Sequence, residues 1–316
     1  MIRLLRGMLP RAGAGAIYWL LGGGLAAALL FIPSFRQPDN IANVVVQSAA
    51  LGVIAVGQTL VIVGGMIDLS VGQLLGLTVV LVCAMMDGRP EMTLPGIGLA
   101  VLLGAGSGLA NGILVTRLRV HPLILTFGTL SVLQGIIFSY TDRSVGRASP
   151  GLGWIASGSL AGVPVAALVI AATGAAGWLL LERTRFGLHL CAVGGNEESA
   201  RRSGLAVERV KVLAFVASGV SAGLAGLIVA GRIGTGYPNA GLGYELDAIA
   251  AAVLGGTSLA GGRGSIAGTL AAVLLLGIVA NAMNLLEVFS FVQTLIKGLI
   301  VIGAILLTRQ ETGNAR

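Results

Sequence analysis

Between Asn40 and Met86 a single side chain can carry charge. It is Asp68, set in Gly64-Gly65-Met66-Ile67-Asp68-Leu69-Ser70-Val71-Gly72 between two long apolar runs. A carboxylate at membrane depth costs at least about 2.5 kcal/mol on insertion scales, so it faces protein or a water-filled path rather than lipid. There it can accept hydrogen bonds from a polar solute, exchange a proton, or satisfy the backbone of a broken helix. Other polar residues interrupt apolar sequence: Gln58, Ser70, Glu245, Asp247, Asn281 and Lys297 join Asp68 as candidates for a translocation path or gate, and Asn111, Gln134, Asn284 and Gln293 lie in similar surroundings. For the amides the plainer reading is hydrogen bonding between helices. Lys297 falls near the middle of the last apolar run and requires a carboxylate or carbonyl partner, for which Asp68 and Glu287 both qualify.

Familiar catalytic devices are missing from the sequence. No Gly-x-x-x-x-Gly-Lys-[Ser/Thr] phosphate loop occurs, and neither Lys211 nor Lys297 follows a glycine. His121 and His189 form no His-Glu-x-x-His motif, and there is no Gly-x-Ser-x-Gly elbow. Cys83 and Cys191 are too few and too far apart for a disulfide frame or a metal site. The expectation is a chain that is not an enzyme and uses no metal or cofactor.

The elements that would position these polar groups are membrane helices. Of 316 residues 55% are hydrophobic and 10% charged, with 50 glycines and a mean hydropathy of +0.94; soluble domains do not have this composition. Uncharged runs such as Ala12 to Phe35, Asn40 to Ile67, Leu69 to Met86, Ala248 to Gly262 and Gly264 to Leu286, with Val288 to Thr308 interrupted only by Lys297, give about ten spans of bilayer length. The fold expected is an all-α integral membrane protein, a polytopic bundle of about ten transmembrane helices with some short or broken, forming one domain over residues 1–316. The first run follows Arg3, Arg6 and Arg11 but is too long for a signal peptide, and reads as a retained helix. The net charge of +7 comes from basic residues that sort by loop. Arg3, Arg6, Arg11, Arg117, Arg119, Arg183, Arg185, Arg201, Arg202, Arg209, Lys211, Arg263, Arg309 and Arg316 belong to one side, with the smaller group of Arg36, Arg89, Arg143, Arg147 and Arg232 on the other. By the positive-inside rule both termini are cytoplasmic, so the basicity reports topology and not nucleic-acid binding. Tyr18, Trp19, Tyr140 and Trp154 fall near the interfaces as anchors, and Gly104, Gly108 and Gly112 have helix-packing spacing.

Two segments break the apolar pattern beyond Asp68. Gly231 to Asp247 is an outer stretch, and Gly255 to Thr269 is so rich in glycine that a tight turn with its backbone buried in protein is expected. The longest cytoplasmic loop, Glu182 to Lys211, contains Gly194-Gly195-Asn196-Glu197-Glu198-Ser199-Ala200-Arg201-Arg202-Ser203-Gly204. Asn196 suits an N-cap, Glu197 and Glu198 suit the positive first turn, Arg201 and Arg202 the negative last turn, and Gly204 a left-handed stop. A helix this short is marginal alone, so its strong terminal signals imply that a surface holds it: a partner, or its own membrane domain.

Taken together these motifs resemble the permease family of bacterial ABC importers for monosaccharides, of the ribose, xylose and galactose type. The resemblance is carried by Ile67-Asp68-Leu69-Ser70-Val71-Gly72, Pro122-Leu123-Ile124-Leu125-Thr126-Phe127-Gly128-Thr129, Thr184-Arg185-Phe186-Gly187 with Ala192 to Arg201, Gly243-Tyr244-Glu245-Leu246-Asp247-Ala248, and Leu254-Gly255-Gly256-Thr257-Ser258-Leu259 with Gly261-Gly262-Arg263-Gly264-Ser265. It implies a multi-pass protein of the bacterial inner membrane that works with ABC ATPase subunits, a periplasmic sugar-binding protein and a second permease subunit, either another copy or a paralogue. Residues 182–211 would then be the coupling loop, docking on the ATPase through Gly194, Gly195, Asn196, Glu197, Glu198, Arg201, Arg202 and Gly204. Met66 departs from the family's usual Gly-Gly-Ile-Asp and would alter the bend or narrow a path beside the carboxylate. A related permease family carries branched-chain amino acids, but this chain has the Asp-Leu-Ser-Val-Gly version of the motif. Amino acids are therefore the nearest alternative substrate class, and from the residues alone an ion-coupled secondary transporter using Asp68, Glu245 or Lys297 is a further, more distant reading. Asp68 itself, placed by charge counting at the cytoplasmic turn between the second and third spans, either caps the start of the third span or meets substrate.

Overall fold

The computed structural model describes residues 12–299 apart from 290 and 297. Lys297, the terminal arginines and most of the expected span Val288 to Thr308 lie outside the described residues.

Helix α1 (Ala12–Phe31) leads through a short turn into α2 (Pro38–Val63), α3 (Val71–Met86), α4 (Thr93–Leu118) and α5 (Pro122–Tyr140). A short helix α6 (Pro150–Ser157) and a two-residue hairpin, β1 (Ser159–Leu160) with β2 (Val163–Pro164), precede α7 (Val165–Trp178), which runs on as a π turn through Arg183. Then follow α8 (Arg185–Gly195), α9 (Glu197–Arg202), α10 (Val207–Ile233), α11 (Tyr244–Leu254) and α12 (Ile266–Leu285). Pro38, Pro122 and Pro150 open their helices, where the missing N–H costs nothing. Among the described residues six helical stretches are long and apolar enough to cross a membrane: Pro38–Val63, Pro90–Leu118, Pro122–Tyr140, Val165–Arg183, Val207–Ile233 and Ile266–Leu285. Gly15–Phe31 and α3 are shorter apolar helices.

The expected span Ala248 to Gly262 is different. Its helix α11 has 11 residues and stops at Leu254, which at about 1.5 Å per residue reaches roughly half a bilayer. The glycines that follow end it.

Helix α2 is the axis of the bundle. It is buried over 78% of its apolar window, whereas α5 is buried over 17% and forms the periphery. The longest helix, α10, lies against α4 along the expected glycine row: a Cβ on Gly104 or Gly108 would collide with the backbone carbonyls of Gly219 or Phe215, and one on Gly112 would crowd the Val212 backbone. Without side chains at these positions the two backbones pack directly, which is how membrane helices gain dispersion contacts in the absence of a hydrophobic drive.

The alternation of helices sends the chain ends of α2, α4 and α7 to one face of the bundle, together with α8, α9 and the start of α10. Arg117, Arg119, Arg183, Arg185, Arg201, Arg202, Arg209 and Lys211 all fall there, and Arg183 stacks on Trp178 with 4.9 Å to the ring centre. Arg36, Arg89, Arg143, Arg147 and Arg232 fall at the opposite face, with α6 and the hairpin. The charge sorting read from sequence is therefore also the sorting in space.

Candidate translocation path and coupling surface

Asp68 is 1% exposed, and its hydrogen bonds explain its burial. After α2 ends, Oδ1 accepts from the Ser70 N–H at 3.0 Å and from the Ser70 hydroxyl at 2.6 Å, an Asx turn that starts α3. Oδ2 accepts from the Ser218 hydroxyl of α10 at 3.2 Å. Asn111 of α4 donates to Ser70 Oγ at 2.9 Å, and Thr129 of α5 donates to Asn111 Oδ1 at 2.7 Å. Thr126 of α5 closes the loop, donating to Ile67 O at 3.2 Å and accepting from the Leu69 N–H at 3.1 Å. The carboxylate thus fastens α3, α4, α5 and α10 around irregular backbone that lipid could not satisfy. Of the two roles left open by sequence, this is closest to the cap, although the bonded N–H belongs to the N-cap residue Ser70 and not to the first turn of α3. Met66, 3% exposed, lies in one apolar cluster with Leu190 of α8, and the ends of both side chains lie beside Gly64.

The other candidates separate into two groups. Asn281 of α12 and Asn40 of α2 exchange amide hydrogen bonds, each at 2.9 Å, and so pin two helices together. Ser70 is committed to Asp68 and Asn111. In contrast, both polar atoms of Gln58 and Oε2 of Glu245 are buried without a hydrogen-bond partner among the described residues. Gln58 is 0% and Glu245 8% exposed. Groups of this kind inside a membrane protein call for a functional explanation.

Glu245 reaches its position because the chain re-enters the bundle after α10. Gly236 pairs with Val145 and packs on Val80, and Gly241 packs on Gly72 and Gly76, so residues 234–243 run along α3 from its end towards its beginning. A Cβ on Gly72 would overlap the Glu245 carboxylate. The short helix α3 and the half-length α11 therefore begin beside one another inside the bundle.

At the face opposite α9 lie two cavities. The larger, about 470 Å³, is lined by Asp39, Asn43, Gln47, Ser157, Ser159 and Arg232 among others. The smaller, about 170 Å³, lies between α2, α10, α11 and α12 and is lined by Gln47, Ser48, Leu51, Arg232, Tyr244, Asp247 and residues of α12. Arg232 borders both, its guanidinium 3.4 Å from the Gln47 carbonyl. Asp247 lines the smaller of these cavities. Asp39, Asn43, Gln47 and Arg232 were not selected from sequence, although the spacing 39, 43, 47 marks one helix face.

The α9 face has the terminal chemistry read from sequence. Asn196 Oδ1 accepts from the Ser199 N–H at 2.8 Å, and Gly204 has φ +82°. Glu197 pairs with Arg201 at 3.2 Å and Glu198 with Arg202 at 2.9 Å, both across one turn. Further pairs reach into α10: Lys211 to Glu197 at 2.6 Å, and Arg201 to Glu208. Partial burial raises the Glu197 carboxyl, but hydrogen bonds and charge from Lys211 and Arg201 hold it below the ordinary carboxylate range. Ala200 is 5% exposed and packs inward with Val207 and Phe215, while Glu198 and Arg202 point outward. The six-residue helix is therefore seated on its own membrane domain and still presents one charged face. Behind it, Gly194 meets the Val63 carbonyl, and the Gly262 N–H donates to that same carbonyl at 2.8 Å.

A multi-pass bundle with broken helices, a buried polar set and a capped, charged surface helix defines a membrane permease component. The family described as "Branched-chain amino acid transport system / permease component" matches residues 40–308, and the chain belongs to it. It is 43% identical to the ribose import permease protein RbsC of Bacillus subtilis (strain 168) over 290 residues, covering 89% of this chain and 88% of that one. The ribose import permease protein RbsC of Escherichia coli (strain K12) is 38% identical over 306 residues, 93% and 95% of the two chains. The L-arabinose transport system permease protein AraH of the same strain is 34% identical over 286 residues, 90% and 87%. No solved structure matches the chain. The expected family and the multi-pass inner-membrane location stand on these matches.

Proposed function

We propose that this chain is the transmembrane permease subunit of a monosaccharide ABC importer. It passes a sugar, delivered by a periplasmic binding protein, across the inner membrane while separate ATPase subunits supply the energy. The observation that carries the reading is α9: a helix too short to stand alone, capped at both ends, seated by Ala200 and the Lys211–Glu197 pair, with the Glu198–Arg202 pair exposed on its outer face. It stands on a chain that has no phosphate-binding loop of its own. The relatives' names, two of ribose and one of L-arabinose permeases, support a sugar over an amino acid.

In this reading the α9 face is cytoplasmic, both termini are on that side, about ten helices cross the membrane in one domain, and a second permease subunit completes the importer. ATP-driven closure of the ATPases moves residues 182–211 through Gly194 to Gly204. Gln58, Glu245 and Asp247 serve the path, and Asp68, Ser70 and Asn281 hold its walls. Sugar hydroxyls need several weak partners there, because tight binding would stall release.

Charge reversal tests the coupling role. With Glu198→Arg and Arg202→Glu combined, the internal pair is kept while the charge pattern shown to the partner is inverted. The expected result is loss of the ATPase subunit on co-purification and loss of coupled uptake at unchanged membrane level. Retention of both would remove α9 from coupling.

A further inference from the structure

Helices α4 and α10 run antiparallel and nearly touch where Gly112 meets the Val212 backbone. One residue past that contact is a rotation of about 100°, and in an antiparallel pair it carries Ile113 and Leu213 to the same side. Both are exposed, whereas Asn111 and Val115 on the other side of α4 are buried. Steps of four residues extend each stripe. On α4 it reads Leu109, Ile113, Arg117, and on α10 it reads Leu213 back to Arg209, every one of them exposed. Each exposed apolar stripe therefore ends in an arginine at the α9 face. Arg117 follows Gly112 by five positions and Arg209 precedes Val212 by three, roughly 7.5 and 4.5 Å along the axes, so the two side chains leave the pair side by side at nearly one level. Arg119 comes directly after α4 with φ +53°, at a position where the backbone favours glycine or asparagine.

These arginines stand outside the ion pairs that occupy the neighbouring surface. Glu197, Glu198 and Glu208 are taken by Arg201, Arg202 and Lys211, and among the described residues Arg117, Arg119 and Arg209 pair with no carboxylate. We propose that the three arginines and the two stripes form a binding site for an anionic phospholipid of the adjoining leaflet. Its phosphate takes charge-assisted hydrogen bonds from the guanidiniums, and an acyl chain lies along Leu109, Ile113 and Leu213. A soluble anion would leave the apolar stripes unused, and an uncharged lipid would leave the cations unmatched. An ATPase is met at α9, whereas Arg117 and Arg209 continue the bilayer-facing sides of helices long and apolar enough to cross it. Basic residues grouped between transmembrane helices at a leaflet surface are the usual recognition element for such headgroups. The inference goes beyond the importer reading and requires only that α4 and α10 cross the bilayer.

Native mass spectrometry of the intact chain in a mild detergent, titrated with dioleoylphosphatidylglycerol or dioleoylphosphatidylcholine, tests the site. The unsubstituted chain is expected to hold phosphatidylglycerol about tenfold more tightly than phosphatidylcholine. Arg117→Gln combined with Arg209→Gln is expected to weaken phosphatidylglycerol about thirtyfold and to leave phosphatidylcholine where it was. Arg183→Gln combined with Arg185→Gln removes as much charge from the same face, away from the stripes, and should change neither. Equal retention of the two lipids by the unsubstituted chain would overturn the site without recourse to any variant. Equal losses from the two variant pairs would reduce it to diffuse surface charge. Displacement of the lipid by sn-glycerol 3-phosphate at equal concentration would assign the arginines to a free phosphate instead. Loss of the ATPase subunit on co-purification of the Arg117→Gln, Arg209→Gln variant, with phosphatidylglycerol still held, would make the patch a protein-docking surface and would equally defeat the proposal.

Discussion

The turns after α2 and after α11 share one backbone pattern and are secured in two ways. After α2, the N–H groups of Gly64, Gly65 and Met66 donate to the carbonyls of Leu60, Ile62 and Val61. After α11, those of Gly255, Gly256 and Thr257 donate to Ala251, Val253 and Ala252 at the same offsets. Gly65 at φ +76° and Gly256 at φ +89° hold the left-handed residue that such a stop requires. Each turn then restarts a helix at a serine, Ser70 or Ser265. Beyond that the turns diverge. The first is tied by side chains: Asp68, Ser70, Asn111, Thr126, Thr129 and Ser218 knit it to three other helices. The second lacks a carboxylate. Ser265 caps its own helix by accepting from the Gly268 N–H at 3.1 Å, and Gly261 and Gly262 press against the backbone of Gly194 and Gly195 beside α9. Side-chain hydrogen bonds fix one geometry, whereas glycine backbones in contact transmit displacement. On the coupling role proposed above, the first turn serves as the pivot and the second as the link from α9 to α11 and α12.

The largest expected effect is at that link. Gly194→Val places a branched side chain on the Val63 carbonyl and the Gly262 N–H, an overlap expected to destabilise the α8 end by about 3 kcal/mol and to abolish ATP-driven uptake. Normal uptake by this variant would contradict transmission through the glycine contact. Next comes the pivot. Asp68→Ala removes three accepted hydrogen bonds and is expected to cost roughly 2–3 kcal/mol, read as a lower melting temperature in detergent. Asp68→Asn keeps an acceptor for Ser70 and can donate to Ser218, so its loss should stay within about 1 kcal/mol. Equal damage from both variants would show that charge, and not hydrogen bonding, is what the site requires.

The two serines sharpen the comparison with a smaller difference. Ser265→Ala loses one cap at about 1 kcal/mol, while Ser70→Ala removes the hydroxyl that joins Asp68 to Asn111, two buried hydrogen bonds, and should cost clearly more; equal melting points would dissolve the distinction between the turns. Acid has the smallest effect. The Glu197 carboxyl is held below its ordinary value, so its pairing contributes fully above that value and is lost as pH falls through the lowered one. Because the side chain is nearly half exposed, salt should weaken the same contribution. Proteolysis of the 182–211 loop that rises only in strong acid would match this, and an onset near neutral pH would not.

Composition and charge placement made the helices, their alternation and the α9 terminal signals legible, because each rests on local chemistry. Asp68 was visible for the same reason, being a single charge in apolar sequence. Its partners were not, since Ser70 is local but Asn111, Thr126, Thr129 and Ser218 arrive from other helices and look ordinary in sequence. Span counting misled at Ala248 to Gly262, where apolar content hid a half-helix that glycines terminate. Asn281 read as a path residue because an amide in an apolar run has no visible partner until Asn40 is placed opposite. The stripe Asp39, Asn43, Gln47 was readable at helix spacing but lies near a helix start, where polar residues attract no notice. Lys297 and its expected partner fall outside the described residues.

The central proposal is that separate ATPase subunits supply the energy and that their displacement enters this chain through α9. Labelled sugar uptake should therefore be measured in vesicles containing the chain, its ATPase and its binding protein, with either ATP or an imposed proton or sodium gradient as the only driving force. The account predicts uptake with ATP and none with either gradient alone. Gradient-driven uptake in vesicles lacking the ATPase would contradict it.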